Sequence, residues 1–271
     1  MIKLATMSSV CPDWNLEETI AGMKRHGYQG LEPRVEWSHA SGIEADLSAE
    51  GRAEVRKKMA DEGLEICCVA TSVRMAAPEP DEQAKHVEDL KKYIELAADL
   101  GCPQIRTFGG QRARDRELPA IVDYVVEGYM KALPMAAEAG VTVLMETHDD
   151  WSCSAPVRAV VEQAGHPNLK ILWDIMHPQR MMEKPEETFQ VVGEYTHHLH
   201  AHDGSFVDGK MQIGPLGEGA IDHAVPLQLL NEAGFGGYFS VEVIHAPGSD
   251  HDAEGVLKQY GEQFREIMDN M

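Results

Sequence analysis

Short apolar runs alternate with longer amphipathic stretches along the whole chain. Most of these runs are continuously apolar, which is typical of strands buried on both faces of a parallel sheet. The pattern predicts eight strands, at residues 2–5, 30–32, 64–70, 104–108, 141–146, 169–174, 197–201 and 238–243.

The stretches between the runs place apolar residues three and four positions apart, as amphipathic helices do. This spacing is clearest over residues 87–100, 121–136 and 257–268. Asn15 followed by Glu18 predicts a capping box at the first helix, and Asp81 is the expected N-cap of the third.

Glycines mark the expected helix ends. Each lies just before a predicted strand, where a left-handed residue that follows the last helical turn favours glycine. Their mean interval of about 35 residues suits a repeated βα unit. The seven positions are Gly27, Gly63, Gly101, Gly140, Gly165, Gly193 and Gly234.

Eight βα units in about 250 residues predict an α/β fold, a single (β/α)8 TIM barrel spanning residues 1–271. A doubly wound open sheet is the alternative, but it usually carries a glycine-rich phosphate loop after its first strand. Here the first strand continues into residues 6–9, which contain no glycine. No Pro-, Gly- or Ser-rich linker divides the chain.

Composition narrows the class of protein. Lys and Arg number 24 against 45 Asp and Glu, giving a net charge of −21, which argues against binding nucleic acid or a membrane surface. No apolar run reaches the roughly 18 to 20 residues of a membrane span, and the start lacks the apolar stretch of a signal peptide. The five cysteines form no CxxC pair. We therefore expect a reduced, cytoplasmic protein.

Four consecutive predicted strands end in polar residues, Glu146, Asp174, His200 and Glu242. In a TIM barrel these ends meet where active sites form. Carboxylates are costly to bury unpaired, and few Lys or Arg residues lie beside these four positions in the sequence. The set predicts one divalent metal, Mn²⁺ first, then Mg²⁺, Co²⁺ or Zn²⁺. The alternative is that they are ordinary polar residues in strand-end loops.

These residues give the chain a resemblance to the xylose-isomerase-like barrel superfamily, which includes sugar isomerases, ketose 3-epimerases and endonuclease IV. The resemblance implies that Glu146, Asp174, His200 and Glu242 are the metal ligands and that His177 contacts the substrate, as its counterpart does in the ketose epimerases. Two positions depart from those epimerases: Ser152 stands in place of a substrate-contacting Glu, and Phe206 in place of an Arg. A free ketohexose substrate is therefore not implied.

The same comparison argues against a trinuclear DNA-repair site, which needs extra histidines at the early strand ends. This chain has Ala70-Thr71 and Thr107-Phe108 there.

The chemistry expected of such a site is proton transfer beside a carbonyl. A metal on the carbonyl and hydroxyl oxygens stabilises the ene-diolate, and a carboxylate moves the proton. Glu146 and Glu242, from separate parts of the rim, are the predicted catalytic pair. Epimerisation, aldose–ketose isomerisation and dehydration all stay open. We predict an isomerase or epimerase of a small sugar or keto-sugar, with a lyase or a partner-dependent barrel subunit as alternatives.

Further residues are candidates for substrate binding. His148 is expected at the same mouth, either on the substrate or supporting other side chains. His202 is expected at the site as well, with a solvated loop as the alternative. Glu32 is expected to bind substrate hydroxyls or to pair with Arg34. The loop at residues 214–219 holds either a phosphate or, more simply, a tight turn. The expected ligand is a small carbohydrate, and we expect a homo-oligomer, a dimer or tetramer.

Overall fold

The computed structural model describes residues 1–271. Nine strands form one parallel sheet in the order β3-β2-β1-β11-β8-β7-β6-β5-β4, and β9 and β10 form an antiparallel hairpin. The strands are β1 (Lys3–Met7), β2 (Gly30–Glu32), β3 (Glu65–Ile66), β4 (Val69–Arg74), β5 (Gln104–Phe108), β6 (Thr142–Glu146), β7 (Leu169–Asp174), β8 (Thr196–Ala201), β9 (Asp203–Val207), β10 (Lys210–Gly214) and β11 (Tyr238–Val241).

Strands β3 and β4 are successive pieces of the third barrel strand, which the sequence predicted as one run. The ring closes where the backbone N–H of Val35 donates to the carbonyl oxygen of Ala70 (3.1 Å) and that of Ala70 donates to Pro33 (2.9 Å). Eight strand positions thus surround the axis, and the predicted TIM barrel is confirmed.

Ten helices surround or cap the sheet, and none of them combines the length and hydropathy that a membrane crossing requires. They are α1 (Leu16–His26), α2 (Ala49–Asp61), α3 (Pro80–Leu100), α4 (Leu118–Met130), α5 (Leu133–Ala139), α6 (Ser154–Ala164), α7 (Met176–Arg180), α8 (Pro185–Val192), α9 (Ala224–Glu232) and α10 (Ala253–Asp269).

The capping box at α1 is confirmed, with the Glu18 N–H donating to Asn15 Oδ1 and the Asn15 N–H donating to Glu18 Oε2, both at 2.9 Å. Asp81 as the N-cap of α3 is wrong. That helix starts at Pro80, whose fixed φ suits the first helical position, and Asp81 lies in its first turn.

Six of the seven marker glycines have positive φ, but Gly193 does not. Its φ of −54° is helical, and it begins a short 3-10 turn. A Cβ there would lie 2.7 Å from the Phe189 ring, so close packing is the reason for this glycine. The predicted helix over 121–136 is two helices, because the chain turns at Lys131 and Ala132 and Pro134 enters the new helix near its start.

The main apolar core lies between the sheet and its helices, and a smaller cluster fills the barrel interior. That interior cluster consists of Ala5, Cys67, Cys68, Leu144, Leu172 and Tyr238. The packed interior leaves the polar side chains of the strands at the carboxyl end of the barrel.

Candidate metal centre and active site

The structure brings the four predicted ligands together at the carboxyl ends of β6, β7, β8 and β11. Asp174 and His200 are directly opposite each other across β7 and β8, and Glu242 follows β11 by one residue. One ligand atom each from Glu146, Asp174, His200 and Glu242 lies within 4.8 Å of all the others, and all four residues are buried. The barrel register therefore converts four distant sequence positions into one cluster.

The contacts within this cluster leave carboxylate oxygens without hydrogen bonds. Nδ1 of His200 lies 3.1 Å from both Glu146 Oε1 and Glu242 Oε2. Oδ1 of Asp174 accepts two backbone N–H groups at the start of α7. Glu146 Oε2, Asp174 Oδ2 and Glu242 Oε2 are buried without a hydrogen-bond partner. Buried carboxylate oxygens that accept no hydrogen bond, in a cluster that also holds an imidazole, fit a divalent cation.

Glu32 lies below this cluster rather than facing solvent. It is fully buried, with Oε1 3.0 Å from Nε2 of His200 and Oε2 2.9 Å from Nε2 of His198. It does not pair with Arg34, whose guanidinium donates to the carbonyl oxygens of Val35 and Ala70 and to the Ser72 hydroxyl. Glu32 is therefore placed to orient His200, not to reach a substrate hydroxyl directly.

The acids and imidazoles shift one another's pKa values. Burial would lower the pKa of His200, but the carboxylates around it, Glu242 first, raise it well above its usual value. Burial would raise the pKa of Glu242, but His200 lowers it to about 2. The pKa of Asp174 also lies well below its usual value, because two neighbouring histidines outweigh its burial. The negative field that favours protonated imidazoles here would equally favour a bound cation.

Four aromatic or imidazole rings form a continuous row at the rim. Ring centroids are 4.6 Å apart for Phe108 and His148, 4.3 Å for His148 and His177, and 5.6 Å for His177 and His202. A cavity of about 310 Å³ is lined in part by Asp149, whose Oδ1 lies 2.9 Å from Nδ1 of His148. The three histidines predicted to bind substrate thus lie side by side at the mouth.

Arg106 is a site residue that the sequence reasoning missed. It projects from β5, is 1% exposed, and places Nε 3.3 Å from Oε2 of Glu146. No Lys or Arg comes within ion-pair range of Asp174 or Glu242, so only Glu146 of the three carboxylates has such a side chain beside it. The signal in the sequence was a charged residue in the middle of a predicted buried strand.

The loop after β8 is organised by a buried carboxylate. Asp203 accepts backbone N–H groups from Gly204, Gly217, Gly219 and Ile221, at 2.7 to 3.2 Å. These donors are the ones that a phosphate would need, so the tight-turn alternative describes residues 214–219 and the phosphate alternative is wrong.

The two positions that depart from the ketose epimerases lie away from the four ligands. The Ser152 hydroxyl donates to the carbonyl oxygen of Asp149 (2.7 Å), and Phe206 is exposed on the β9–β10 hairpin. Neither side chain makes a contact with the cluster that would replace the missing Glu or Arg.

Comparison with known proteins found a related human sequence and several solved structures with the same fold. The human protein named "Putative hydroxypyruvate isomerase" is 26% identical over 244 residues, covering 79% of this chain and 83% of that protein. Among solved structures, the IolI protein with a bound zinc atom matches with a TM-score of 0.84 at 18% identity, covering 99% of both chains.

An L-ribulose 3-epimerase matches with a TM-score of 0.82 at 19% identity, covering 100% of this chain and 95% of the other. The probable 3-DHS dehydratase AsbF of Bacillus anthracis matches with 0.79 at 20% identity, covering 97% and 99%. At such identities these structures show the fold alone.

The sequence also matches a family model, described as xylose isomerase-like TIM barrel, over residues 20–267. The match spans nearly every barrel strand and includes all four clustered ligands. The chain therefore belongs to the xylose isomerase-like TIM-barrel family.

Proposed function

We propose that this protein is a divalent-metal-dependent isomerase or epimerase of a small sugar or keto-sugar. The observation that carries the proposal is the buried cluster of Glu146, Asp174, His200 and Glu242, in which each carboxylate has one buried oxygen that accepts no hydrogen bond. The human relative, named as an isomerase, is consistent with this class of reaction. Three carboxylates and one imidazole suit Mn²⁺ first, because this ion accepts mixed oxygen and nitrogen ligands.

A divalent cation held by these residues would polarise a substrate carbonyl and stabilise charge that develops beside it. The proton transfer belongs to the chain's own carboxylates. Glu146 and Glu242 come from β6 and β11, which are separated in the sheet by β7 and β8. Two glutamates on different sides of the cluster are suited to remove a proton from one face of a carbon and return it to the other, which inverts that centre.

The rim supplies contacts for the rest of the substrate. His148, His177 and His202 lie in one row beside the cluster, where their ring nitrogens could bind hydroxyl groups. Nε2 of His177 is buried without a hydrogen-bond partner and lies 3.7 Å from Asp174 Oδ2, so this atom could bind a ligand oxygen.

Hydrogen exchange at carbon tests this proposal. The Mn²⁺-loaded protein is incubated with small ketoses and keto-sugars in D₂O, and proton NMR follows deuterium incorporation beside the carbonyl. We expect exchange in the wild type and its loss in Glu146→Gln and Glu242→Gln, which keep one ligand oxygen each. Metal content is measured in parallel, so that loss of metal is not taken for loss of the base.

Full exchange in either glutamine variant would remove that residue from the mechanism. A metal-loaded wild type that exchanges no substrate would favour the partner-dependent barrel subunit.

A dehydratase is the second candidate, and His202 is the observation that favours it. Its Nε2 lies 3.0 Å from Oδ2 of Asp174; burial opposes its protonation, but that carboxylate raises the pKa of His202 to about 9. A protonated imidazole at the rim could donate a proton to a leaving hydroxyl group. Mass spectrometry of the products separates the two candidates, because dehydration removes the mass of water and epimerisation leaves the mass unchanged.

A further inference from the structure

His177 has a different neighbour at each of its two ring nitrogens. Nε2 is buried and lies 3.7 Å from Oδ2 of Asp174, on the side of the four clustered ligands. Nδ1 lies 3.4 Å from Nη1 of Arg180, which follows three positions later on α7. Residues three apart on a helix lie on the same side of it, so this contact is built into the local sequence.

The Arg180 guanidinium is directed at the imidazole and not at an acidic side chain. Its contact with His177 is the one hydrogen bond that this side chain makes, and no carboxylate lies within ion-pair range of it. This is unusual in a chain with 45 Asp and Glu residues. Glu183, the nearest acidic residue along the chain, instead accepts hydrogen bonds from the Ser154 N–H and the Thr188 hydroxyl.

The chemistry of a guanidinium decides which nitrogen of the His177 ring carries the proton. A guanidinium has five N–H donors and no acceptor, so Nδ1 must accept the hydrogen bond with its lone pair. An imidazole whose Nδ1 is bare is neutral and carries its proton on Nε2. His177 therefore points an N–H group toward the cluster.

The other two histidines of the rim face carboxylates. Nε2 of His202 lies 3.0 Å from Oδ2 of Asp174, and Nδ1 of His148 lies 2.9 Å from Oδ1 of Asp149. An ionised carboxylate only accepts hydrogen bonds, so it keeps a proton on the ring nitrogen that it faces. His177 differs because the N–H group opposite its Arg180 contact has no protein acceptor within hydrogen-bond distance.

We infer that Arg180 is a positioning residue that holds the ring proton of His177 on Nε2, so that His177 presents an N–H donor to a substrate oxygen at the cluster. The contact with a substrate rests on the proposed function, whereas the position of the ring proton does not. Such a donor stabilises negative charge on the oxygen when a proton leaves the neighbouring carbon. With no lone pair on Nε2, His177 is neither a metal ligand nor the general base through that atom.

Nitrogen NMR of the histidine rings tests this inference. Protein with ¹⁵N-labelled histidine is measured metal-free and loaded with Zn²⁺, since Mn²⁺ would broaden the signals. Bare and protonated ring nitrogens differ widely in chemical shift, and His177→Gln identifies the His177 signals among those of the 13 histidines. Acetohydroxamate is then added to the Zn²⁺-loaded protein, because it presents a carbonyl oxygen beside an oxyanion, as an ene-diolate does.

Three arginine variants separate the hydrogen bond from other effects. Arg180→Met keeps an apolar stem and removes every donor, whereas Arg180→Lys keeps a cationic donor. Arg116→Met is the matched control, because it makes the same change at another exposed arginine without an ion pair. Affinity for acetohydroxamate is measured for each by isothermal titration calorimetry.

In the wild type and in Arg116→Met we expect a bare Nδ1 and a protonated Nε2, whose signals shift when acetohydroxamate binds. In Arg180→Met the Nδ1 signal should move toward that of a protonated nitrogen, because the guanidinium no longer excludes a proton there. The affinity for acetohydroxamate should fall by about three- to ten-fold, as for loss of one hydrogen bond. Arg180→Lys should restore most of both properties.

Three results would overturn the inference. A bare Nε2 or a protonated Nδ1 in the wild type would contradict the assigned ring proton. Unchanged ring signals in Arg180→Met would show that Arg180 does not position it. An Nε2–H signal that does not respond to acetohydroxamate in the Zn²⁺-loaded wild type would exclude the donor role.

These outcomes are distinct from failure of the proposed function. A protein that binds no metal or exchanges no substrate hydrogen would reject the proposed isomerase, and the ring signals of the metal-free protein would still decide whether Arg180 fixes the proton of His177.

Discussion

Nε2 of His200 lies 3.0 Å from Oε1 of Glu32, and this contact leaves Nδ1 of the same ring facing Glu146 and Glu242. With a cation bound, a hydrogen bond from Nε2 to a carboxylate would keep the proton on Nε2 and leave the lone pair of Nδ1 for that cation. Burial would raise the pKa of Glu32, but His200 and His198 hold it well below its usual value, so this carboxylate is ionised. Glu32 therefore orients the His200 ring from the side opposite the expected cation.

Glu32→Gln should therefore weaken metal binding by about ten- to a hundred-fold, as loss of such a supporting carboxylate typically does. Competition with a metal-sensitive dye measures the dissociation constant. Glu17→Gln, at an exposed position on α1, is the control. An unchanged dissociation constant in Glu32→Gln would mean that Glu32 stabilises the fold and not the metal ligand.

The strand pattern was predictable because parallel barrel strands are buried on both faces. Strands at 30–32, 104–108 and 169–174 coincide with the predicted runs. The clustering of the four strand-end side chains followed from the same reasoning, since parallel strands bring their carboxyl ends to one side of the barrel. Their metal role stays a prediction.

The side-chain contacts between distant strands of the barrel could not be predicted from the sequence. Glu32 meets His198 and His200 although more than 160 positions separate them, because β2 and β8 face each other through the interior. Arg106 was missed for the same reason: which interior side chain it meets depends on strand tilt and register. Local signals also failed where packing prevailed, as at Gly193, which accommodates an aromatic ring rather than a left-handed turn.

The buried cysteines predict selective thiol reactivity. Burial raises the pKa of Cys11 and of Cys102 to about 12, and it raises the pKa of Cys67 and of Cys68 well above the usual value. Burial and the nearby Glu183 also raise the pKa of the remaining thiol, Cys153, but this side chain is partly exposed and so is the one a reagent can reach. The thiolate is the form that reacts with a chromogenic disulfide reagent. At pH 8 we therefore expect at most one reacted thiol per chain in the native protein and five after denaturation.

Cys153→Ser should abolish the native reaction and lower the denatured count to four. Rapid reaction of a second thiol in native protein would contradict the packing described for the barrel interior.

We predict that His39 accounts for part of the loss of unfolding free energy at acid pH. Its Nδ1 lies 2.8 Å from the Ser8 hydroxyl, and burial, with the nearby Arg34 charge, lowers the pKa of His39 to about 4. The unfolded chain therefore binds a proton below about pH 6.5 that the folded chain refuses until about pH 4. Stability falls as the pH decreases through this window, by at most about 3 kcal/mol from this group.

Urea unfolding at pH 7.5 and at pH 4.5 measures this contribution. The loss of stability between the two pH values should be smaller in His39→Gln than in the wild type, since all other titrating groups are common to both. His251→Gln, at a partly exposed histidine in a loop, is the control. An equal loss of unfolding free energy in the wild type and in His39→Gln would show that protonation of His39 does not destabilise the folded chain.

The Asp203 side chain holds the loop at residues 214–221 in its conformation. Its two carboxylate oxygens accept four backbone N–H groups, and the side chain is fully buried. The glycines permit this close approach: a Cβ on Gly219 would lie 2.1 Å from Asp203 Oδ1, and one on Gly204 would lie 2.1 Å from the carbonyl oxygen of Gln212. The next residue back along the chain is His202, so the loop also fixes one histidine of the rim.

Asp203→Asn replaces one acceptor oxygen by an N–H donor and leaves buried N–H groups unpaired, which should cost about 2 to 4 kcal/mol of unfolding free energy. Urea unfolding measures this cost, with Asp208→Asn, at an exposed position on the same hairpin, as the control. Amide hydrogen exchange should accelerate over residues 214–221 in Asp203→Asn and stay slow in the control. Equal protection in both variants would mean that hairpin packing holds the loop and that the Asp203 carboxylate contributes little.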